Sequence, residues 1–110
     1  MLQVTFRHMS ASEALRAVAA DLLEKLHARS HGTERCHLVI DRVTAKEDHK
    51  PAQFIAHVDI SFGFPDSLYH ATSIQGDAAD AVGEAFTSIE RQLTNRRQRH
   101  QTEARVDLRS

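Results

Sequence analysis

The chain is poor in the residues that carry cross-links, phosphate loops and base-stacking surfaces. Its one cysteine, Cys36, excludes an internal disulfide and suits a reducing compartment. The four glycines are isolated from one another, so there is no glycine-rich phosphate loop, and no Gly-x-Ser-x-Gly motif occurs. Aromatic residues make up 5% of the chain, which argues against recognition of single-stranded nucleic acid by base stacking.

Long apolar runs are also missing. No stretch approaches the roughly 20 residues of a membrane-spanning helix, and residues 1–7 lack the cationic start and apolar block of a signal peptide. Together with the single cysteine, these absences predict a cytoplasmic protein without membrane contact. The 110 residues fit one domain. We expect that domain to span residues 1–100, and residues 101–110, which show no pattern, to form a flexible C-terminal tail.

The eight histidines are the side chains that invite a metal site. They are scattered along the chain, and the single cysteine excludes a Cys-x2-Cys pair. Only His27 and His31 have the His-x3-His spacing that places ligands together on a helix, and the predicted helix ends near Arg29, between them. On predicted strands, His37 and His57 could be cross-strand neighbours, and Asp41 and Asp59 could face one another. Carboxylates on a solvated surface are usually only solvated. We therefore predict no metal, no cofactor, no small-molecule substrate and no enzymatic activity.

Apolar periodicity divides the chain into strands and helices. The alternation in residues 2–7 predicts a half-buried first strand. Ser10 and Glu13 have the spacing of a capping box, and the apolar stripe that follows predicts a helix ending near Arg29. Three more strands are predicted, at residues 36–43, 54–62 and 68–74. Three loops are predicted, at residues 30–33 with Gly32 as helix terminator, at 44–51, which should be mobile, and at 63–66.

The order β-α-β-β-β-α predicts the α+β fold class. Short loops join the last three strands, which should therefore form an antiparallel meander, and the first strand joins the sheet through the first helix. Each helix has one apolar stripe, so both helices should pack on one face of the four-stranded sheet. The opposite face should carry polar side chains, namely Gln3, Thr5, Arg7, His57, Asp59 and Ser61.

The last predicted helix, residues 77–100, has the most uneven charge in the chain. Asp77 is a good N-cap, and acidic residues suit the start of a helix. Four arginines gather toward the far end: Arg91, Arg96, Arg97 and Arg99. Since the whole chain has a net charge of -1, this positive charge is local and could hold a polyanion. Cations also complement the dipole at a helix C-terminus, and arginines contact phosphates without reading sequence.

An ordered set of short segments resembles the ribosome hibernation-promoting factor family, also called ribosome-associated inhibitor A or sigma-54 modulation proteins. The resemblance spans residues 2–99. The segments that carry it are Val-Thr-Phe-Arg-His-Met at 4–9, Ser-Glu-Ala-Leu at 12–15, Cys-His-Leu-Val-Ile-Asp at 36–41, His-Val-Asp-Ile at 57–60 and Ile-Glu-Arg-Gln-Leu at 89–93. Two positions depart from the family pattern: Ala79 replaces an aromatic residue, and Thr87 or Ser88 replaces a lysine. The length predicts a short form.

The resemblance implies a non-enzymatic factor that binds the small ribosomal subunit. Such a factor contacts ribosomal RNA in the channel of messenger and transfer RNA and silences idle ribosomes under stress. Carried over by position, Arg91, Arg96 and Arg97 match basic positions of the last helix. Lys25 matches a lysine near the end of the first helix, and Arg16 is a weaker match. With Arg99 from the arginine cluster, these residues form the predicted nucleic-acid-binding set.

Two other classes of function remain open on the residues alone. The chain could be a protein-interaction module or a homodimer that uses the open sheet face or a free strand edge and binds no RNA. A metal-binding stress protein ranks third, because the histidines are scattered over predicted strands, loops and helices.

Overall fold

The computed structural model describes residues 2–29, 33–44, 51–63 and 66–109, and for residues 29, 33–34, 63, 66–67 and 97–109 it describes the backbone only. The chain follows the order β-α-β-β-β-α, which confirms the predicted α+β fold. The elements are β1 (Leu2–Arg7), α1 (Glu13–Arg29), β2 (Thr33–Val43), β3 (Gln53–Gly63), β4 (Asp66–Gln75) and α2 (Ala78–Arg109).

The four strands form one sheet in the spatial order β1-β2-β3-β4. β1 and β2 are parallel, because α1 returns the chain to the same end of the sheet before β2 begins. β2, β3 and β4 are antiparallel neighbours, which confirms the predicted meander. Strands β1 and β4 are therefore the two edges.

Both helices pack on one face of the sheet, as the two apolar stripes predict. The core contains one side chain in two from the central strands and the stripes of the helices. Its largest fully buried members are Leu26, Leu38, Ile40, Ile60, Ile89, Val58, Val82 and Cys36. In the described part of the chain no helix covers the opposite face, which presents polar side chains, including His57, Asp59 and Thr72, at or near the surface.

The start of α1 differs from the prediction. The backbone N–H of Leu15 donates a 3.2 Å hydrogen bond to Oγ of Ser12, so Ser12 is the N-cap and Glu13 is the first helical residue. The capping box predicted for Ser10 and Glu13 is wrong. The chain enters the helix two residues later, and Ser12 satisfies a backbone donor that has no partner within the helix.

The start of α2 agrees with the prediction. Oδ1 of Asp77 accepts hydrogen bonds from the N–H groups of Ala79 at 2.7 Å and Asp80 at 3.1 Å. The backbone of α2 then continues as helix to Arg109, beyond the expected end near residue 100. Flexibility of the tail in solution stays a prediction.

The strand ends also extend beyond their predicted bounds. β2 begins at Thr33 rather than residue 36, and β4 runs from Asp66 to Gln75 rather than from 68 to 74. Backbone hydrogen bonds between neighbouring strands continue through residues whose side chains do not alternate between apolar and polar. Most of the predicted loops lie outside the described residues, at 30–32, 45–50 and 64–65, so the mobility of 44–51 and the role of Gly32 stay predictions.

Candidate nucleic-acid interface

α2 places its two described arginines on different sides. Arg91 and Arg96 are five residues apart, which corresponds to about 140° around the helix axis. Arg91 is exposed, with no ion pair or hydrogen bond from its side chain in the described part of the structure. Arg96 instead leans toward the edge strand β4, where its Nη1 donates a 2.7 Å hydrogen bond to the Tyr69 hydroxyl.

The flank of α2 that faces β4 is held by a second polar contact. Nε2 of Gln92 donates a 2.8 Å hydrogen bond to the backbone carbonyl of His70. Gln92 and Arg96 are four residues apart and lie on the same side of the helix. The Arg96 guanidinium is thereby kept near the edge of the sheet. One hydrogen bond to Tyr69 leaves most of its five N–H donors for another partner.

Lys25 lies where α1 approaches α2. It lines an open groove of about 220 Å³, whose other lining residues are Leu22, Leu26, Phe86, Thr87 and Glu90. Its Nζ is 3.3 Å from Oδ2 of Asp21, one turn earlier on α1. The groove also carries the Glu90 carboxylate, so positive and negative charge meet there.

Arg16 lies apart from Lys25. The two residues are nine positions apart on α1, about half a turn out of phase, so they occupy opposite sides of the helix. Arg16 Nε is 3.6 Å from Oε1 of Glu13, and its guanidinium carbon is 5.4 Å from the ring centre of Phe6 on β1. The predicted nucleic-acid-binding set is therefore split between the two edges of the sheet.

The side chains of Arg97 and Arg99 lie outside the described part of the chain, and only their backbone positions can be compared. At about 100° per residue, position 99 lies between positions 91 and 96 around α2, and position 97 lies on the other side. Four arginine positions thus surround this segment of α2 instead of forming one stripe.

The described cations differ in their acidic neighbours. Arg16 and Lys25 each pair with a carboxylate on α1, one turn away. Neither Arg91 nor Arg96 has an ion pair in the described part of the structure. Exposed helix ion pairs contribute little and exchange readily with other anions. Among the predicted residues whose side chains are described, only Arg91 and Arg96 carry a charge without a carboxylate partner in the described part of the chain.

The open sheet face holds a cluster of three side chains that the sequence pattern does not predict. His57 and Asp59 of β3 and His70 of β4 bring their polar atoms within 4.8 Å of one another. His57-x-Asp59 was readable as a pair, since alternate strand residues share a face. His70 was not, because the register between β3 and β4 is fixed only in the folded sheet.

One of the two pairings considered for this face is wrong. Asp41 lies opposite Ile55, and Asp59 lies opposite His37, so the two carboxylates do not face one another. His37 and His57 are cross-strand neighbours in a diagonal relation, since His57 lies directly opposite Val39. Asp41 contacts Nδ1 of His8 at 2.8 Å, and Nε2 of His37 is 3.1 Å from Oγ1 of Thr5.

The Asp59 carboxyl has an unusual environment. Burial opposes its ionisation, but the hydrogen bond with His70 and the charges of His57 and His70 outweigh that effect and hold the pKa of Asp59 below its ordinary value.

For the Cys36 thiol, burial is the dominant influence on the pKa. Cys36 is 2% exposed on the apolar face, as predicted, and burial raises the pKa of its thiol to about 11. A thiol of this kind is inert.

In the described part of the chain, no helix combines the length and apolar character needed to cross a membrane. The four-stranded mixed sheet with two helices on one face defines the class of the protein as a small α+β domain.

The family model described as sigma 54 modulation protein / S30EA ribosomal protein matches residues 2–101. The chain belongs to this family of ribosome-associated proteins, as its resemblance predicted. No curated protein matches the chain by sequence.

Two solved structures have the same fold. A ribosomal subunit interface protein from Coxiella burnetii superposes with a TM-score of 0.70 at 18% identity, covering 88% of this chain and 97% of that one. The N-terminal domain of Protein Y from Thermus thermophilus gives a TM-score of 0.68 at 17% identity, covering 84% of this chain and 92% of that one. At these identities the likeness concerns the fold.

Proposed function

We propose that this chain binds ribosomal RNA of the small ribosomal subunit and blocks the channel of messenger and transfer RNA, silencing idle ribosomes under stress. The observation that carries the proposal is the family match over residues 2–101, nearly the whole domain. The family is ribosome-associated, and a protein with this role works in the cytoplasm, where ribosomes are.

Arg91 and Arg96 are the proposed centre of the RNA contact. Both are exposed, and neither is paired with a carboxylate in the described part of the chain. Guanidinium groups bind phosphate oxygens through charge-assisted, often bidentate hydrogen bonds. Tyr69 holds Arg96 in position, which reduces the side-chain freedom that RNA binding would otherwise remove.

The remaining predicted residues extend this contact to different degrees. Arg97 and Arg99 follow on α2, and Lys25 flanks the groove between the helices and can exchange Asp21 for a phosphate. Arg16 is on the far side of α1 and contributes least. The sheet keeps both helices in fixed positions, so the bulk of the domain excludes competing RNA.

The proposal is tested by charge reversal on α2. We expect the R91E/R96E/R97E variant to lose co-sedimentation with small ribosomal subunits in sucrose gradients. The matched control is R7E/R35E/R42E, which makes the same change in charge at sites on β1 and β2 and should still co-sediment. Circular dichroism checks that both variants are folded. Co-sedimentation of the α2 variant at the level of the wild type would contradict the proposed contact.

The salt dependence gives an independent measure. Each phosphate neutralised adds about 0.7–0.9 to the slope of log affinity against log salt. A single charge reversal at Arg91 or at Arg96 should therefore reduce the magnitude of the slope by about 0.7–0.9, the contribution of one phosphate contact. A slope that is the same in these variants and in the wild type would place the phosphates elsewhere.

A second candidate function is homodimerisation through the open sheet face. The observation that favours it is the exposure of two apolar side chains on edge strand β4, Leu68 at 58% and Ile74 at 54%. Edge strands with exposed apolar residues pair readily with another chain. Light scattering should then show a dimer that L68K/I74K converts to a monomer. A monomeric wild type would exclude this function.

A further inference from the structure

The three side chains His57, Asp59 and His70, here called the His-Asp-His cluster, meet on the face of the sheet that has no helix. Asp59 and His70 are direct partners in the antiparallel register of β3 and β4. His57 precedes Asp59 by two residues and therefore points to the same face. Their donor atoms all lie within 4.8 Å of one another.

A single carboxylate oxygen joins the two imidazoles. Oδ1 of Asp59 is 3.1 Å from Nε2 of His57 and also contacts Nδ1 of His70. The two rings are nearly parallel, with centroids 6.3 Å apart and an angle of 20° between their planes. Ligand atoms of a tetrahedral zinc ion are about 3.3 Å apart, given bonds of about 2.0–2.1 Å. Small side-chain adjustments would therefore bring all three donors to one ion.

Thr72 supplies the outer contact that metal-binding histidines usually have. Oγ1 of Thr72 is 2.7 Å from Nδ1 of His57, the ring nitrogen that faces away from Asp59. When Nδ1 donates its proton to this hydroxyl, Nε2 presents a lone pair toward Asp59. The Nε2 lone pair of His57 and the Oδ1 atom of Asp59 are then two acceptors that face each other, and a cation between them removes their repulsion. In the other tautomer, Nε2 carries the proton and the Thr72 hydroxyl donates to Nδ1.

We propose that the His-Asp-His cluster binds a divalent late first-row transition-metal ion such as zinc, through two imidazoles and one carboxylate. Two nitrogen ligands and one oxygen favour ions of this class over Mg²⁺ and Ca²⁺, which take oxygen ligands. The side chains of His57 and His70 are 41% and 57% exposed. A fourth position is therefore open to solvent, and the ion exchanges readily.

The site is separate from the proposed RNA contact. The cluster lies on the sheet face opposite α1 and α2, whereas Arg91 and Arg96 lie on α2. Metal binding here would reverse the expectation drawn from the scattered histidines, because strand register brings the three ligands together.

The proposal is tested by titrating the full chain with ZnCl2 in a calorimeter. We expect one Zn²⁺ per chain at the cluster, with D59N and H70Q each weakening binding tenfold or more. T72V, which removes the outer contact, should also weaken it by about 10–100-fold. The matched control is H8Q, since His8 pairs with Asp41 outside the cluster. H8Q should bind Zn²⁺ like the wild type.

Two further measurements identify the site even if a variant folds poorly. The imidazole NMR signals of His57 and His70 should shift together on addition of Zn²⁺, and MgCl2 should leave them unchanged. Cobalt should give the visible absorption of a four-coordinate ion in the wild type and lose it in H70Q. Zn²⁺ binding of equal affinity in D59N, H70Q and wild type, or shifts confined to other histidines, would overturn the proposal.

Discussion

The guanidinium of Arg96 is bound to Tyr69 in two ways. Nη1 donates a 2.7 Å hydrogen bond to the hydroxyl, and the guanidinium carbon lies 5.8 Å from the ring centre. The Tyr69 ring in turn meets Phe62 edge to face, with centroids 5.5 Å apart. An arginine on the surface of α2 is thereby linked through the edge strand to the core.

This link predicts a measurable coupling between Tyr69 and Arg96. Y69F keeps the ring contacts and removes the hydroxyl, so the free energy of unfolding should fall by about 0.5–1 kcal/mol. In an R96A background the same substitution should cost less, because its partner is already gone. Urea unfolding of the four proteins gives the coupling energy. An equal cost in both backgrounds would show that the hydrogen bond contributes nothing.

The N-cap of α1 gives a prediction that separates Ser12 from Ser10. S12A should lower the free energy of unfolding by about 1 kcal/mol, because the Leu15 N–H loses its acceptor. S10A is the control and should change the stability by less than about 0.5 kcal/mol. Thermal unfolding measures both. A larger effect of S10A would restore the capping box that the sequence predicts.

With glycine at position 83, we expect the native protein to be less stable than it would be with alanine there. Gly83 lies within α2, and a Cβ added there would meet nothing within 4 Å. G83A should therefore raise the free energy of unfolding by about 0.5–1 kcal/mol through helix propensity. A20G, at an exposed position of α1, is the reciprocal control and should lower it by a similar amount. Destabilisation by G83A would indicate crowding between the helices.

Cys36 should be protected from alkylation in the folded protein. Its side chain is buried, and burial raises the pKa of the thiol to about 11, so little thiolate forms at neutral pH. Iodoacetamide should label Cys36 in urea and leave it unlabelled in native buffer, as followed by mass spectrometry. Labelling in native buffer at the rate seen in urea would contradict the burial of β2.

Asp59 should contribute stability that is lost in acid. The groups facing it are His37 on β2, His57 on β3 and His70 on β4. Its folded pKa lies below the ordinary value of 3.8. The stabilisation is therefore present above that value and disappears as the pH falls through the folded pKa.

D59N tests this dependence. The variant should be less stable than the wild type at neutral pH, and the difference should shrink as the solution is acidified below the ordinary aspartate pKa. D21N is the control, since Asp21 forms only an exposed ion pair with Lys25. Urea unfolding across the acid range measures both. If the difference in free energy of unfolding between D59N and the wild type stays constant over that range, Asp59 does not contribute to the loss of stability in acid.

The order of helices and strands could be predicted from the sequence because it depends on local patterns. Alternation in β1 and β3 and the apolar stripe of α2 reflect which side chains face the core, and that periodicity is present in the chain before it folds. The ends of elements were less readable. Ser12 and Ser10 are both acceptable caps, and only the path of the chain into α1 selects between them.

The candidate sites were harder to predict than the fold. The sequence identified Arg91 and Arg96 as members of a local cluster of positive charge, but the attachment of Arg96 to Tyr69 depends on how α2 is rotated against β4. The pairing of Asp59 with His70 depends on strand register, which shifts side chains between faces with a single-residue slip.

By itself, then, the chain determined its elements, its apolar face and its membership in a ribosome-associated family, because these follow from residue patterns along one dimension. Only the tertiary structure decided which distant side chains meet. In the folded protein, Arg16 and Lys25 lie on opposite sides of α1, and Arg96 forms a hydrogen bond with Tyr69. The imidazoles of His57 and His70 both contact one carboxylate oxygen of Asp59. Such contacts depend on register and packing between elements, which no local pattern specifies.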